Sequence, residues 1–196
     1  MSPSTIWCVG RNYAKHAKEM NAEIPKSPLI FIKSGGCLKE TNFISLPSFS
    51  QDIHHELEIA LLLGDSLEVS SIALALDLTA RDIQTELKKK GLPWALAKSF
   101  KESCPTSQWV PYQGEGWFKT LSFDLKVNGT IRQLGKTKDM IFQPAELIKY
   151  LKSLYPILPG DIILSGTPEG VAPLKPGDAL DAQINGLLSW KSLIKN

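Results

Sequence analysis

Short apolar runs punctuate this chain at residues 6–9, 29–33, 59–63, 72–79 and 162–165, and most are closed by Gly or Ser. Brief, continuous runs of this kind predict strands buried on both faces. Two pairs of runs flank Asn-Gly dipeptides: 121–127 with 130–133 around Asn128-Gly129, and 179–184 with 187–193 around Asn185-Gly186. Both read as hairpins, the first with a type I′ turn. Helical patterns are fewer. Residues 13–20 predict a helix with Asn12 as its N-cap. Residues 80–90 predict another, ended by Gly91 and Pro93. Pro144 opens a third that reaches residue 154. The polar stretch 37–52 reads as irregular, and Trp109-Val110-Pro111 as a short edge piece. The predicted class is α+β and β-rich, with a few peripheral helices.

Candidate chemistry begins at the mouth of the 59–63 run. Residues two apart in a strand share a face, so Glu56 and Glu58 place their carboxylates together, with Leu57 opposite. Two such charges repel and lose hydration, so something must compensate them. A divalent cation that favours oxygen is the simplest compensator. His54 is in phase with both, although an all-oxygen site excludes it. Asp77 interrupts the 72–79 run, where an Asp is unfavourable; it either faces solvent or has a task.

Four further groups invite a reading. His16 and Glu19 are three apart on a predicted helix and share a face. Lying among Lys15 and Lys18, they are a solvated surface or a general base with its orienting carboxylate. Arg81, Gln84 and Lys88 line one face of the next helix, most simply an exposed one. Lys98, amid Leu96, Ala97 and Phe100, either snorkels to water or neutralises buried acids. The loop 166–171 is a tight turn, or a cradle of backbone N–H groups and the Thr167 hydroxyl for a carboxylate.

Composition narrows the classes. A chain of 196 residues, 43% of them hydrophobic, suits one domain over residues 1–196 with a sizeable core. The 22 basic residues are spread among 20 acidic ones, leaving a net charge of +2 and no nucleic-acid footprint. Three scattered cysteines without a CxxC pair fit a reducing compartment, and neither a disulfide framework nor a zinc site. The first predicted strand starts too near Met1 for a leader peptide. No apolar run approaches the roughly 20 residues needed to span a bilayer. A soluble, cytoplasmic protein without a membrane partner is expected.

Several stretches together carry a resemblance: CVGRNYAKHAKEM (8–20), HHELEIALLLG (54–64), LDLTARDIQ (76–84), KKKGLPWALAKSF (88–100), LKVNG (125–129), MIF (140–142) and PGDIILSGTPEGV (159–171). In these the chain resembles the fumarylacetoacetate hydrolase family, in particular its acylpyruvate hydrolase and oxaloacetate decarboxylase branch. The resemblance implies a mixed β-sandwich roll, usually a homodimer. It implies Mg²⁺, with Mn²⁺ as a substitute, on Glu56, Glu58 and Asp77. It implies a catalytic dyad of His16 and Glu19 and an active-site lysine at Lys98. Gln84 and Thr167 match substrate-contacting positions, and Arg11 and Arg81 match further motif residues. One departure stands out. Relatives join the strand of Glu56 and Glu58 to that of Asp77 by a longer stretch, whereas here residues 64–71 pass almost directly into Ile72. Either the chain carries a true deletion or a segment is missing from it.

Three carboxylates without a soft ligand select a hard cation. A small 2-oxo acid offers its carboxylate and adjacent carbonyl as a chelate. The metal would then stabilise the pyruvate enolate. That serves carbon–carbon cleavage, by hydrolysis of a 3-acylpyruvate or decarboxylation of oxaloacetate, which is the leading expectation, with keto–enol tautomerisation of oxaloacetate through the same enolate as an alternative. Other isomerisations or dehydrations of 2-oxo acids, and a non-catalytic metal-binding dimer, are further alternatives.

Overall fold

In the computed structural model, which describes residues 3–195, the apolar runs become strands. The chain opens with β1 (Thr5–Gly10), α1 (Ala14–Glu19), β2 (Leu29–Ser34), β3 (Leu38–Glu40), β4 (Phe43–Ser45), β5 (Ile53–His55), β6 (Leu57–Leu63) and β7 (Val69–Leu76). It continues through β8 (Thr79–Ala80), α2 (Arg81–Lys89), α3 (Ala95–Lys98), β9 (Cys104–Thr106), β10 (Val110–Pro111) and α4 (Glu115–Phe118). The last third holds β11 (Ser122–Val127), β12 (Thr130–Lys136), α5 (Pro144–Leu154), β13 (Ile162–Leu164), β14 (Ala172–Pro173), β15 (Ala179–Ile184) and β16 (Leu188–Lys195).

The first sheet runs β2-β1-β13-β6-β7-β9-β3, with β10 also paired to β7. Its middle strands are apolar on both faces: Ile59, Ala60 and Leu61 of β6 and Ile72 to Leu76 of β7 are fully buried. The second sheet, β12-β11-β15-β16-β4, alternates instead, and β16 buries every second residue. That is the pattern of a sheet with one face on the core and one in water. Ile59 and Leu74 of the first sheet share a core with Phe123, Leu180 and Trp190 of the second. A third, small sheet, β14-β5-β8, carries the segments that lead into the acidic residues. The strand-dominated α+β class is as expected. Among the described residues no helix is long and apolar enough to cross a membrane.

Four local expectations need correction. Asn12 does not cap α1; the N-cap position falls on Tyr13, without a side-chain bond. Asn12 is instead wholly buried and turned across the fold, donating to Ser165 O at 2.8 Å and accepting from Phe142 N at 2.8 Å. The polar stretch 37–52 is not wholly irregular, because β3 pairs with β9 and β4 with β16. The face of Arg81 and Gln84 is not plain surface, since Gln84 is buried. Glu56 lies at the break between β5 and β6 rather than within one strand.

The shortened connection closes as a tight hairpin. Leu63 pairs with Val69, Gly64 N donates to Glu68 O at 2.9 Å, and Leu67 takes the left-handed conformation at φ 59°. Strand β7 therefore returns directly alongside β6. Asp77 N then donates to Glu56 O at 2.9 Å. The short link thus brings Asp77 to the acidic pair without the longer stretch.

Candidate active site

The centre is the pairing of β6 with β7. Glu58 faces Ala75 in the register, and Glu56 and Asp77 lie just beyond the ends of the two strands. Carboxylate oxygens of Glu56, Glu58 and Asp77 all come within 4.8 Å of one another. All three residues are buried.

Three cations surround this cluster. Lys98, the last residue of α3, places Nζ 2.8 Å from Glu56 Oε2 and 2.6 Å from Asp77 Oδ2. Arg81 donates from Nη2 to the other oxygen of Glu56, and its Nη1 is held by Gln84 Oε1 at 2.7 Å. Lys33, at the end of β2, is 0% exposed and places Nζ 2.9 Å from Asp77 Oδ1. That contact is an ion pair without hydrogen-bond alignment, so Oδ1 has no hydrogen-bond partner. The ammonium hydrogens go to Leu78 O at 3.1 Å and to Lys98 O.

Glu58 stands apart. Among the described residues it meets no cationic side chain, and its hydrogen bond comes from Gly166 N at 2.6 Å. Burial, then the like charges of Asp77 and Glu56, push its carboxyl well above the usual range. Burial pushes Glu56 the same way, but Lys98, then Arg81 and His16, outweigh it and hold Glu56 well below that range. For Lys98, burial works against the charge, and Asp77 and Glu56 override it and hold the ammonium above its ordinary value. A buried carboxylate without a counter-charge, beside an Asp oxygen without a hydrogen-bond partner, fits a missing cation. The donor set is all carboxylate, which suits Mg²⁺ or Mn²⁺.

The glycine at 166 has a local cause. Its φ is +97°, and a Cβ there would stand 2.6 Å from Asn12 Cβ. Only glycine lets the backbone N–H approach Glu58 so closely.

The dyad residues meet as expected. His16 is buried on α1, with Nδ1 3.0 Å from Glu19 Oε2. Glu19 Oε1 in turn accepts from Gly170 N at 2.9 Å, which ties α1 to the 166–171 loop. A carboxylate beside Nδ1 makes that nitrogen the donor and leaves the Nε2 lone pair bare. His16 lines one cleft with Arg11, Glu56, Glu58, Asp77 and Thr167. Arg81, Gln84 and Lys98 line the same cleft, whereas Glu19 does not and reaches it only through His16. His54 does not line it.

Thr167 differs in detail from the expected hydroxyl cradle. Its Oγ1 donates to Leu57 O at 2.8 Å and accepts from Gln133 Nε2 at 2.8 Å. The hydroxyl hydrogen is therefore committed, and it presents a ligand with an acceptor rather than a donor. Gln133, 1% exposed on β12, uses both ends. Its Oε1 accepts from Leu57 N and lies 2.9 Å from His55 Nδ1, while Nε2 also reaches Pro168 O at 3.0 Å.

Lys33, Gln133 and the clamp by Asn12 escaped the sequence. Lys33 carried a signal: it ends an apolar run and pairs in register with the fully buried Ile6. Gln133 carried none, since a Gln on a hairpin strand is ordinary.

Comparison with known proteins agrees with this geometry. The family model for the fumarylacetoacetate (FAA) hydrolase C-terminal domain matches residues 5–194. The chain is 45% identical over 197 residues to the Bos taurus protein named oxaloacetate tautomerase FAHD1, mitochondrial, covering 95% of this chain and 89% of that one. It is 41% identical over 197 residues to oxaloacetate tautomerase YcgM of Escherichia coli, covering 93% of this chain and 89% of that one. Among solved structures, fumarylpyruvate hydrolase from Pseudomonas aeruginosa, in complex with Mn²⁺ and pyruvate, superimposes with a TM-score of 0.91 at 29% identity. That match covers 98% of this chain and 90% of the other. Fold, site geometry and family match agree, and the chain belongs to the fumarylacetoacetate hydrolase C-terminal family.

Proposed function

We propose that this protein is a divalent-metal-dependent enzyme of small 2-oxo acids and that its reaction is keto–enol tautomerisation of oxaloacetate. The observation that carries the reading is the juxtaposition of Glu56, Glu58 and Asp77 with a buried His16, held by Glu19, in one cleft. Glu56, Glu58 and Asp77 would hold Mg²⁺ or Mn²⁺. When bound, such an ion supplies Lewis acidity to a 2-oxo oxygen.

The chain's own residues do the rest. His16 Nε2 takes a proton from the carbon next to the 2-oxo group, and Glu19 stabilises the imidazolium that results. Negative charge moves onto the 2-oxo oxygen. Return of the proton to that oxygen gives the enol, and its return to carbon restores the ketone. Lys98 offsets the negative charge gathered at the cleft floor. Arg81 holds Glu56, and Gln84 holds Arg81. Names of relatives at 41% and 45% identity support the tautomerase reading.

Carbon–carbon cleavage of acylpyruvates or decarboxylation of oxaloacetate is the second reading. It is favoured by the structural likeness to a fumarylpyruvate hydrolase. There His16 would deprotonate an attacking water instead of a carbon. A homodimer is the assembly we expect.

Enol oxaloacetate diluted into buffer separates the two. Ultraviolet loss of the enol, followed with Mg²⁺ and with excess chelator, should be accelerated by the protein only when metal is present. Malate dehydrogenase should then recover the oxaloacetate intact. Pyruvate in its place would transfer the assignment to carbon–carbon cleavage.

A further inference from the structure

Helix α2 presents a third residue on the face that carries Arg81 and Gln84. Positions 81, 84 and 88 lie along one side of a helix, and Lys88 lines the same cleft. The proposed function gives it no task. Its ammonium sits 5.0 Å from the centre of the Trp94 ring. Trp94 packs against Phe31, with ring centres 5.9 Å apart, and Phe31 in turn carries Lys98 at 4.9 Å. Two lysines therefore stand over one aromatic pair. Lys98 is satisfied by Glu56 and Asp77. Lys88 has no carboxylate partner among the described residues, and neither does Arg11, which lines the cleft beside it.

Charge decides what this end of the cleft takes. On the floor, three carboxylates face three cations, Lys33, Arg81 and Lys98. A divalent ion would add two positive charges, and Arg11 and Lys88 add two more without compensation. One carboxylate on the ligand leaves this excess largely standing. Partial burial, then the charges of Arg81, Arg11 and Lys98, lower the pKa of Lys88 against a smaller opposing pull from Glu56. The indole face holds the ammonium through its ring quadrupole without neutralising its charge.

We infer that Lys88 and Arg11 form an outer anion subsite that receives the distal carboxylate of a 2-oxo diacid and so selects diacids over 2-oxo acids with an uncharged distal end. The inference rests on the proposed function, in which the inner end of the substrate occupies the acidic cluster. It makes Lys88 a specificity residue.

Lactate and malate test it as stable 2-hydroxy acids that differ in the distal carboxylate. Each is titrated calorimetrically into the Mn²⁺-loaded protein and into its Lys88→Gln, Lys88→Arg and Arg11→Gln variants. Malate should bind roughly tenfold tighter than lactate in the parent, about the worth of one charge-assisted contact. Lys88→Gln and Arg11→Gln should each reduce that preference, and Lys88→Arg should retain it. Lys88 is exposed on the helix surface, so its loss leaves the fold standing. Equal binding of the two acids by the parent, or an undiminished malate preference in both neutral variants, overturns the subsite and leaves the proposed function intact. Failure of both acids to bind a protein that does hold Mn²⁺ overturns the chelation reading, and the subsite with it.

Discussion

The two ends of the cleft are built on opposite terms. At the inner end each of three cations has a carboxylate within ion-pair reach, and Lys33 and Lys98 are almost wholly buried. At the outer end Arg11 and Lys88 meet no carboxylate among the described residues, and Lys88 is exposed. Glu58 apart, which is left for a metal ion, the inner end must compensate its charges without a ligand, because burying unpaired charge is costly. The outer end can wait for one, because water compensates it meanwhile. Pairing thus marks what holds the site together, and lack of pairing marks what is left for a substrate.

Breaking the catalytic side of this comparison should have the largest effect. His16→Asn removes the only side chain we assign to proton transfer. Turnover of enol oxaloacetate should fall by about 10²–10⁴-fold, the usual worth of general-base help. Mn²⁺ binding should persist, since His16 is no part of the acidic cluster. An activity within about threefold of the parent in steady-state rates would show that another group moves the proton.

Next comes the buried compensation. Lys33→Met leaves Asp77 with one cation fewer and deprives two backbone carbonyls of a donor. Equilibrium urea unfolding should show a loss of about 3–5 kcal/mol, typical when one partner of a buried pair is removed. The loss should shrink in an Asp77→Asn background, where the ion pair is already gone. Equal losses in both backgrounds would mean that Lys33 acts through its carbonyl contacts alone.

A surface carboxylate should matter least. Asp82 is slightly buried, which raises its pKa, but bonds from Ser50 Oγ at 2.7 Å, Ile83 N at 2.8 Å and Gln51 N outweigh this and lower it. A lowered folded value means that its stabilisation is present above the unfolded Asp range and is lost as pH falls through the folded value. Solvent screening keeps the contribution under about 1 kcal/mol. Asp82→Asn should therefore destabilise slightly at neutral pH, and the difference should vanish in acid. Thermal unfolding across that pH range reads it.

How much of this was legible in the sequence follows the same division. Buried strands announced themselves through continuous apolar runs, and the Asn128-Gly129 hairpin through a turn in which both residues take positive φ. The acidic pair and Asp77 were legible because carboxylates in apolar runs are out of place. Asn12 misled, since its sequence position suits an N-cap while its side chain spans the fold to Phe142 and Ser165. The three contacts of Gln133 with residues at 55, 57 and 167 are long-range, and local pattern carries no trace of them. Lys88 was visible only as one point on a helix face; what lay opposite that face was set by tertiary packing.

The central claim is that Glu56, Glu58 and Asp77 hold a divalent ion that a 2-oxo acid then reaches. Water-proton relaxation of Mn²⁺ solutions measures both halves. The account predicts a strong enhancement on adding the protein, a fall when pyruvate displaces bound water, and no enhancement with Asp77→Asn. Absence of any protein-dependent enhancement, or an equal one in Asp77→Asn, would contradict it.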